Sequence, residues 1–291
     1  MKARLVSVEG LPGSGKTSAA EMVYAILKEE GIDAELWYEN SMDHPADFDG
    51  TAYLEEVVFQ NLMNASPGLD LLSPVTAPYL DGYLVSYRKA IDKHHLTLKP
   101  GLLDVLVRND VYERDPDLHM RIIQERWKDF VRDHEDDAKV FIFECVFLQN
   151  PVTALKVKHD APDEETTAYI ESLLRIVSPL KPILLYMDPG DTRTAFLQAV
   201  RERPALWYEG FERYYTEQGY GLAHGFSGTD GVLRVLEERV RVERNVLRTV
   251  PCACHLVDNS AFDPASLRDT LRKILIREGL LKFSSEQEKE R

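Results

Sequence analysis

The run Gly10-Leu-Pro-Gly13-Ser14-Gly15-Lys16-Thr17 fits the pattern G-x-x-x-x-G-K-[ST], and its flanks constrain the fold as much as the pattern itself. Before it, Arg4-Leu-Val-Ser-Val-Glu9 is apolar and partly β-branched. After it, Ala20, Val23, Ala25, Ile26 and Leu27 recur at helical spacing until Gly31. Strand, glycine-rich loop and helix, in that order, let backbone N–H groups wrap a phosphate while the helix N-terminus adds partial positive charge. Gly10 to Ser18, with Leu11 and Pro12 inside the loop, are therefore expected to hold a nucleotide. Lys16 would reach its β/γ-phosphates, and the Thr17 hydroxyl would serve Mg²⁺.

Four further segments read as short buried strands: Ile32 to Tyr38, Lys139 to Glu144, Ile183 to Asp188 and His255 to Asp258. Five strands alternating with helices argue for an α/β fold with a parallel sheet and right-handed crossovers. The interval of ~100 residues between the second and third strands exceeds any crossover helix. It is expected to be a helical insertion over residues 45–135, with helices at Thr51 to Met63 and Asp117 to Asp133. Ser66 to Asp81, with Pro67, Pro74 and Pro78, reads as loop. Pro162 to Val177 reads as another helix, with Asp163, Glu164 and Glu165 at its N-terminal end. Residues 284–291, polar and charged, are expected to be a disordered tail.

Composition narrows the partners. A chain of 291 residues with 44% hydrophobic and 29% charged residues is globular rather than disordered or collagenous. A formal net charge of −14 opposes a nucleic-acid or anionic-membrane footprint. Only Cys145, Cys252 and Cys254 occur, which fits a thiol chain in a reducing compartment. The apolar run after Lys2 and Arg4 is broken by Ser7, Glu9 and Gly10, and no stretch nears the roughly 20 apolar residues of a membrane span. A cytoplasmic location is expected. Cys252, Cys254 and His255 do not make up the four ligands of a structural zinc site.

Which phosphate-loop chemistry applies depends on other residues. No guanine-reading Asn/Thr-Lys-x-Asp follows a strand; Val157-Lys-His-Asp160 and Asp47-Phe-Asp-Gly50 are chance strings. Phosphoryl transfer needs positive charge over the transferring group. Arg193, Arg201 and Arg203 surround a helix that Pro204 closes, and they read either as that charge or as a solvated helix end. Glu39 and Glu144 end the second and third strands, and ligands of open α/β sheets bind beyond the carboxyl ends. A carboxylate there either takes a proton from an attacking hydroxyl or holds the water shell of Mg²⁺. In the polar run that follows, Asp43, His44 and Asp47 read as acceptor-pocket residues or as turn caps. Arg126 reads as a basic contact for the acceptor or as a side chain snorkelling beside Trp127. Trp207, Tyr208, Phe211, Tyr214, Tyr215 and Tyr220 read as packing, with some free to cover an acceptor.

The order of phosphate loop, acids after strands two and three, Tyr-Met-Asp188 followed by Arg201-Glu-Arg203, and Leu-Val-Asp258-Asn-Ser260 resembles the P-loop nucleoside and nucleotide kinases, thymidylate kinase and deoxynucleoside kinases in particular. The likeness covers the first ~45 and last ~110 residues. It implies a P-loop NTPase fold with sheet order 2-3-1-4-5, flanking helices, and one domain over residues 1–283 with a lid at 189–225. It further implies ATP as donor, Arg201 and Arg203 as lid arginines on its phosphates, and Asn259 to Phe262, with Asn259 and Ser260, beside adenine. Glu39 becomes the base and Glu144 the metal-side acid, and a homodimer fits the group. One departure stands out: Glu144-Cys145-Val146 lacks the arginine that the resembled kinases carry after strand three. The expected activity is ATP-dependent transfer of the γ-phosphoryl group to a small-molecule acceptor, a nucleoside or nucleotide first, otherwise another metabolite hydroxyl. The competing expectation is a nucleotide-gated regulatory ATPase whose insertion binds a protein partner.

Overall fold

A computed structural model describes residues 3–65 and 69–282. The chain divides into two compact units, Met1–Glu39 with Val131–Arg291, and Asn40–Phe130. The expected tail at 284–291 lies outside the described residues.

The first unit holds a five-stranded parallel sheet. Its strands are β1 (Leu5–Gly10), β2 (Ala34–Trp37), β6 (Val140–Glu144), β7 (Pro182–Asp188) and β8 (Ala253–Asp258), in the order β2-β6-β1-β7-β8. Counting only these strands, the order is 2-3-1-4-5, and the chain has the α/β architecture of a P-loop NTPase core. The central strands are buried along nearly their whole length, because helices cover both faces of a parallel sheet. On one face, α1 (Lys16–Glu29) and α12 (Pro264–Arg277) bring Ala19, Val23, Ile26, Leu27, Leu267, Leu271 and Leu275 onto Val6, Val8, Ile142 and Leu185. Each fully buried Leu or Ile there contributes about 1.5–3 kcal/mol of apolar transfer.

A second cluster is supplied by α8 (Thr192–Glu202), α9 (Ala205–Thr216), α10 (Gly219–Ala223) and α11 (Gly228–Thr249), with Phe196, Tyr215, Val232 and Leu236 buried. The short α6 (Gln149–Val152) runs into a π-helical turn, Thr153–Val157, and α7 (Asp163–Ile176) follows. The register pairs Val8 with Glu144 and Glu9 with Tyr186, so the acids and the glycine loop emerge at one end of the sheet.

The second unit differs from the expected helical insertion. Beside α2 (Glu56–Ala65), α3 (Tyr87–Asp92), α4 (Pro100–Arg108) and most of α5 (Pro116–His134), it contains an antiparallel sheet. Its strands are β3 (Ala52–Glu55), β4 (Thr76–Tyr79) and β5 (Gly82–Val85), in the order β3-β5-β4. The helix expected from Thr51 starts only at Glu56, because Ala52–Glu55 pairs with Gly82–Val85 and buries Ala52 and Leu54. The loop expected over Ser66 to Asp81 lies outside the described residues at 66–68. Beyond that it contains a 3₁₀ stretch, Leu69–Val75, and then β4. Pro78 is tolerated because β4 is an edge strand. Among the described residues, no helix is long and apolar enough to cross a membrane.

Candidate functional site at the carboxyl end of the parallel sheet

The phosphate loop takes its shape from residues that no side chain could replace. At Gly13 (φ 80°) a Cβ would lie 2.3 Å from the Ala195 carbonyl oxygen, and at Gly15 (φ 88°) 2.5 Å from Asn259 Nδ2. Both positions need the left-handed backbone and the missing side chain together. Gly15 caps α1 without a side-chain acceptor, and the first turn of α1 holds no acid, so no side chain of the helix itself supplies an anion there. Lys16 Nζ donates to the Leu11 carbonyl at 2.9 Å, within the loop. The Ser14 hydroxyl is buried and has no partner among the described residues. Pro12 and Ser18 lie in the same loop and first turn.

Three carboxylates gather at this end. Glu144 is 4% exposed; its Oε2 accepts from the Glu39 N–H at 3.3 Å, and Oε1 is buried with no partner among the described residues. Burial pushes its pKa up, while the Thr17 hydroxyl, the Glu39 N–H and the Lys16 charge pull it down, so Glu144 and Thr17 are neighbours. Glu39 is exposed, with its carboxylate held from two sides. Gln149 Nε2 donates to Oε1 at 2.5 Å, and the Cys145 thiol donates to Oε2 at 3.6 Å. Gln149 Oε1 is buried and unpartnered among the described residues.

Glu9 is the third acid, and sequence reasoning missed it. It is fully buried and accepts from Ser7 Oγ (2.6 Å), Phe147 N–H (2.8 Å) and Gln149 N–H (3.1 Å). Burial raises its pKa against those three bonds. Glu9 thus fixes the turn that delivers Gln149, and Gln149 fixes Glu39. The only available signal was an acid inside an apolar strand directly before Gly10. Cys145, where the resembled kinases have arginine, is buried with φ 69°, a left-handed backbone uncommon outside glycine. Burial pushes its thiol well up.

The expected lid residues divide. Arg193 pairs with Asp230 at 2.8 Å on the surface, Arg201 is exposed in the last turn of α8, and the Arg203 guanidinium lies 4.2 Å from the Trp207 ring centroid. Asn259 is buried and donates to the Ser14 carbonyl at 2.9 Å, bracing the phosphate loop. Ser260 is exposed, and its N–H donates to Asp258 at 2.9 Å.

In the second unit, Asp43 pairs with Lys89 (2.5 Å) and Lys93 (3.1 Å), and those lysines hold its pKa down. His44 is 3% exposed; Nδ1 accepts from Ala46 N–H at 3.2 Å, and its carbonyl accepts from Arg126 at 3.1 Å. Burial and the Arg126 charge push His44 down to about 3. Arg126 also lies 4.9 Å over the Phe48 ring, and Asp47 accepts from Phe48 N–H and from the Tyr112 hydroxyl, each at 2.7 Å. The structure therefore brings His44, Asp47 and Arg126 into one buried cluster and turns Asp43 towards α3. Asp110 joins that cluster by accepting from Tyr87 (2.8 Å) and Tyr112 N–H (2.9 Å).

No family model matches this chain, and no curated protein matches it either. Among solved structures, it is similar to deoxyadenosine kinase from M. mycoides with bound dATP, at 11% identity over 93% of this chain and 98% of that one, with a TM-score of 0.39.

Proposed function

We propose that the chain is an ATP-dependent phosphotransferase that moves the γ-phosphoryl group of ATP to a hydroxyl of a small molecule, with a nucleoside or nucleotide as the first acceptor class to test. The observation that carries the reading is the meeting of the phosphate loop with Glu144 and Glu39. Glu144, whose Oε1 is buried with no partner among the described residues, lies beside Thr17, and a second, exposed carboxylate, that of Glu39, is held in place next to it.

The residues fit Mg²⁺·ATP. Thr17 and Glu144 offer the hard oxygens that Mg²⁺ takes in small number while phosphates and water complete its shell. When bound, the ion offsets charge on the β- and γ-phosphate oxygens. Lys16 and the amides at the start of α1 bind and orient the phosphates. Glu39 accepts the proton of the attacking hydroxyl at its carboxylate, and Gln149 and Cys145 restrict that carboxylate to a single orientation. Arg201 and Arg203, on the segment after β7, supply mobile positive charge.

The test is transfer of labelled γ-phosphate from ATP to matched sets of nucleosides, nucleoside monophosphates, sugars and amino-alcohols, with total ATP turnover followed in parallel. Label in an organic product, with turnover stimulated by the same compound, supports the reading. Turnover stimulated by a protein partner, with all label in inorganic phosphate, supports a regulatory ATPase instead.

A further inference from the structure

Arg239, midway along α11, is 1% exposed, yet its guanidinium meets four other groups. Nε donates to Glu243 Oε1 at 2.7 Å; Nη1 donates to the Tyr215 hydroxyl at 2.8 Å and to Thr153 Oγ1 at 3.4 Å; Nη2 donates to the Gly10 carbonyl at 3.2 Å. Glu243 is fully buried, and its second oxygen accepts from the Tyr186 hydroxyl at 2.7 Å. One cation thus joins α11, α9, the π-helical turn after α6 and the first residue of the phosphate loop, and through Glu243 it reaches β7.

Stability alone does not explain such a group. Removing an ion pair from water costs so much that apolar side chains of equal volume usually serve a core as well or better. What apolar side chains cannot do is hold a carbonyl. Gly10 C=O and Leu11 N–H belong to one planar trans peptide and point opposite ways across it, so a donor fixed on the carbonyl fixes the orientation of the loop's first peptide plane. The fork of Arg239 fixes that plane to Tyr215, whose ring stacks on Phe211 at 4.1 Å within the aromatic face of α9. That helix begins just after Arg203 and Pro204.

We propose that Arg239 is a positioning residue of the nucleotide site, setting the shape of the phosphate loop from behind and tying that shape to α9 through Tyr215. The proposal rests on the reading of this loop as an ATP site. It assigns α9 a part in nucleotide affinity although none of its residues belongs to the loop.

The experiment measures the equilibrium affinity of the full chain for a fluorescent ATP analogue with Mg²⁺, alongside thermal melts, for five variants. Arg239→Lys keeps the charge beside Glu243 but loses the fork. The pair Arg239→Met with Glu243→Gln removes both charges at similar volume, so the test survives if Arg239→Lys does not fold. Tyr215→Phe deletes one bond and is made both alone and in the Arg239→Lys background, and Lys16→Ala is the control for the loop itself. Affinity at least about tenfold weaker in either Arg239 variant, equivalent to 1.4 kcal/mol, is expected in folded protein. Tyr215→Phe should give a smaller loss that disappears in the Arg239→Lys background, because both act through one contact. Affinity within twofold of wild type in every Arg239 and Tyr215 variant, with only the melting temperature lowered, overturns the proposal and leaves a purely structural ion pair. Wild-type protein that binds the analogue no better than Lys16→Ala overturns the ATP reading itself, and this inference with it.

Discussion

The carboxyl end of the parallel sheet and the polar centre of the insertion use the same kinds of residue and differ in what is left over. In the insertion, Tyr87 and Tyr112 serve Asp110, Tyr112 also serves Asp47, and Arg126 serves the His44 carbonyl. Those polar groups bond one another within a stretch of fewer than 100 residues, and in the same unit the buried Arg114 Nε is left with no partner among the described residues. At the sheet end, Ser14 Oγ, Glu144 Oε1 and Gln149 Oε1 are buried with no partner among the described residues. Buried polar atoms are normally paired, because an unmet one costs about 1–3 kcal/mol. What is left over in the insertion is a nitrogen of a side chain bonded elsewhere, to Asn109 and Glu55, whereas the sheet end leaves three oxygens around a glycine loop, open to a group from outside.

That contrast can be broken at several points. The largest effect is expected from Lys16→Ala, which should lower phosphoryl transfer by roughly 10²–10³-fold or more, the scale for removing a donor to developing charge. Steady-state turnover of protein shown by circular dichroism to be folded measures it, and unchanged turnover would remove the loop from the chemistry. Next come the two strand-end acids. Glu39→Gln should cost about 10²–10⁴-fold in transfer while Mg²⁺·ATP affinity stays nearly constant, since the amide cannot take a proton. Glu144→Gln should instead move the Mg²⁺ midpoint of turnover at saturating ATP. Paired Mg²⁺ titrations decide, and the opposite pattern exchanges the two roles.

The smallest effect belongs to the insertion and concerns stability alone. Burial pushes Asp110 up to about 6 from an ordinary 3.8, against the bonds from Tyr112 and Tyr87. The folded form therefore binds more protons than the unfolded form between those values, and stability falls as pH rises from about 4 to 6, by up to ~3 kcal/mol. Asp110→Asn should flatten that slope in thermal melts and leave turnover within a few-fold of wild type. If Asp110→Asn or Asp47→Asn instead raises the KM of an acceptor tenfold, the insertion cluster is an acceptor pocket and the contrast fails.

Sequence periodicity was informative where burial is two-sided. β1, β6 and β7 are buried along nearly their whole length because helices cover both of their faces, so their apolar residues mark them despite Ser7 and Glu9 in β1, and the glycine loop carries its own geometry in its spelling. The insertion strands were hidden for a physical reason. Ala52, Leu54 and Glu55 are good helix formers, and Thr-Ala-Pro-Tyr at 76–79 carries a proline that only an edge strand accepts. Glu9 and Arg239 were hidden differently. Their decisive partners, Phe147 and Gly10, lie 138 and 229 residues away, a distance across which no local pattern extends. Gln149 was overlooked because an amide four residues beyond Cys145 has no meaning until the turn held by Glu9 brings it to Glu39.

The left-handed turn at Cys145 has a practical consequence as a chemical clock. Its thiol is buried, kept protonated and bonded to Glu39, so an alkylating reagent can reach it only when the end of β6 opens. Cys252 and Cys254 are partly exposed and provide an internal reference for reagent access. The rate at which Cys145 is modified relative to those two therefore reports local opening at the carboxyl end of the sheet. Any molecule that completes the site should slow that clock in proportion to how tightly it binds, which allows ligands to be ranked before the chemistry they undergo is known.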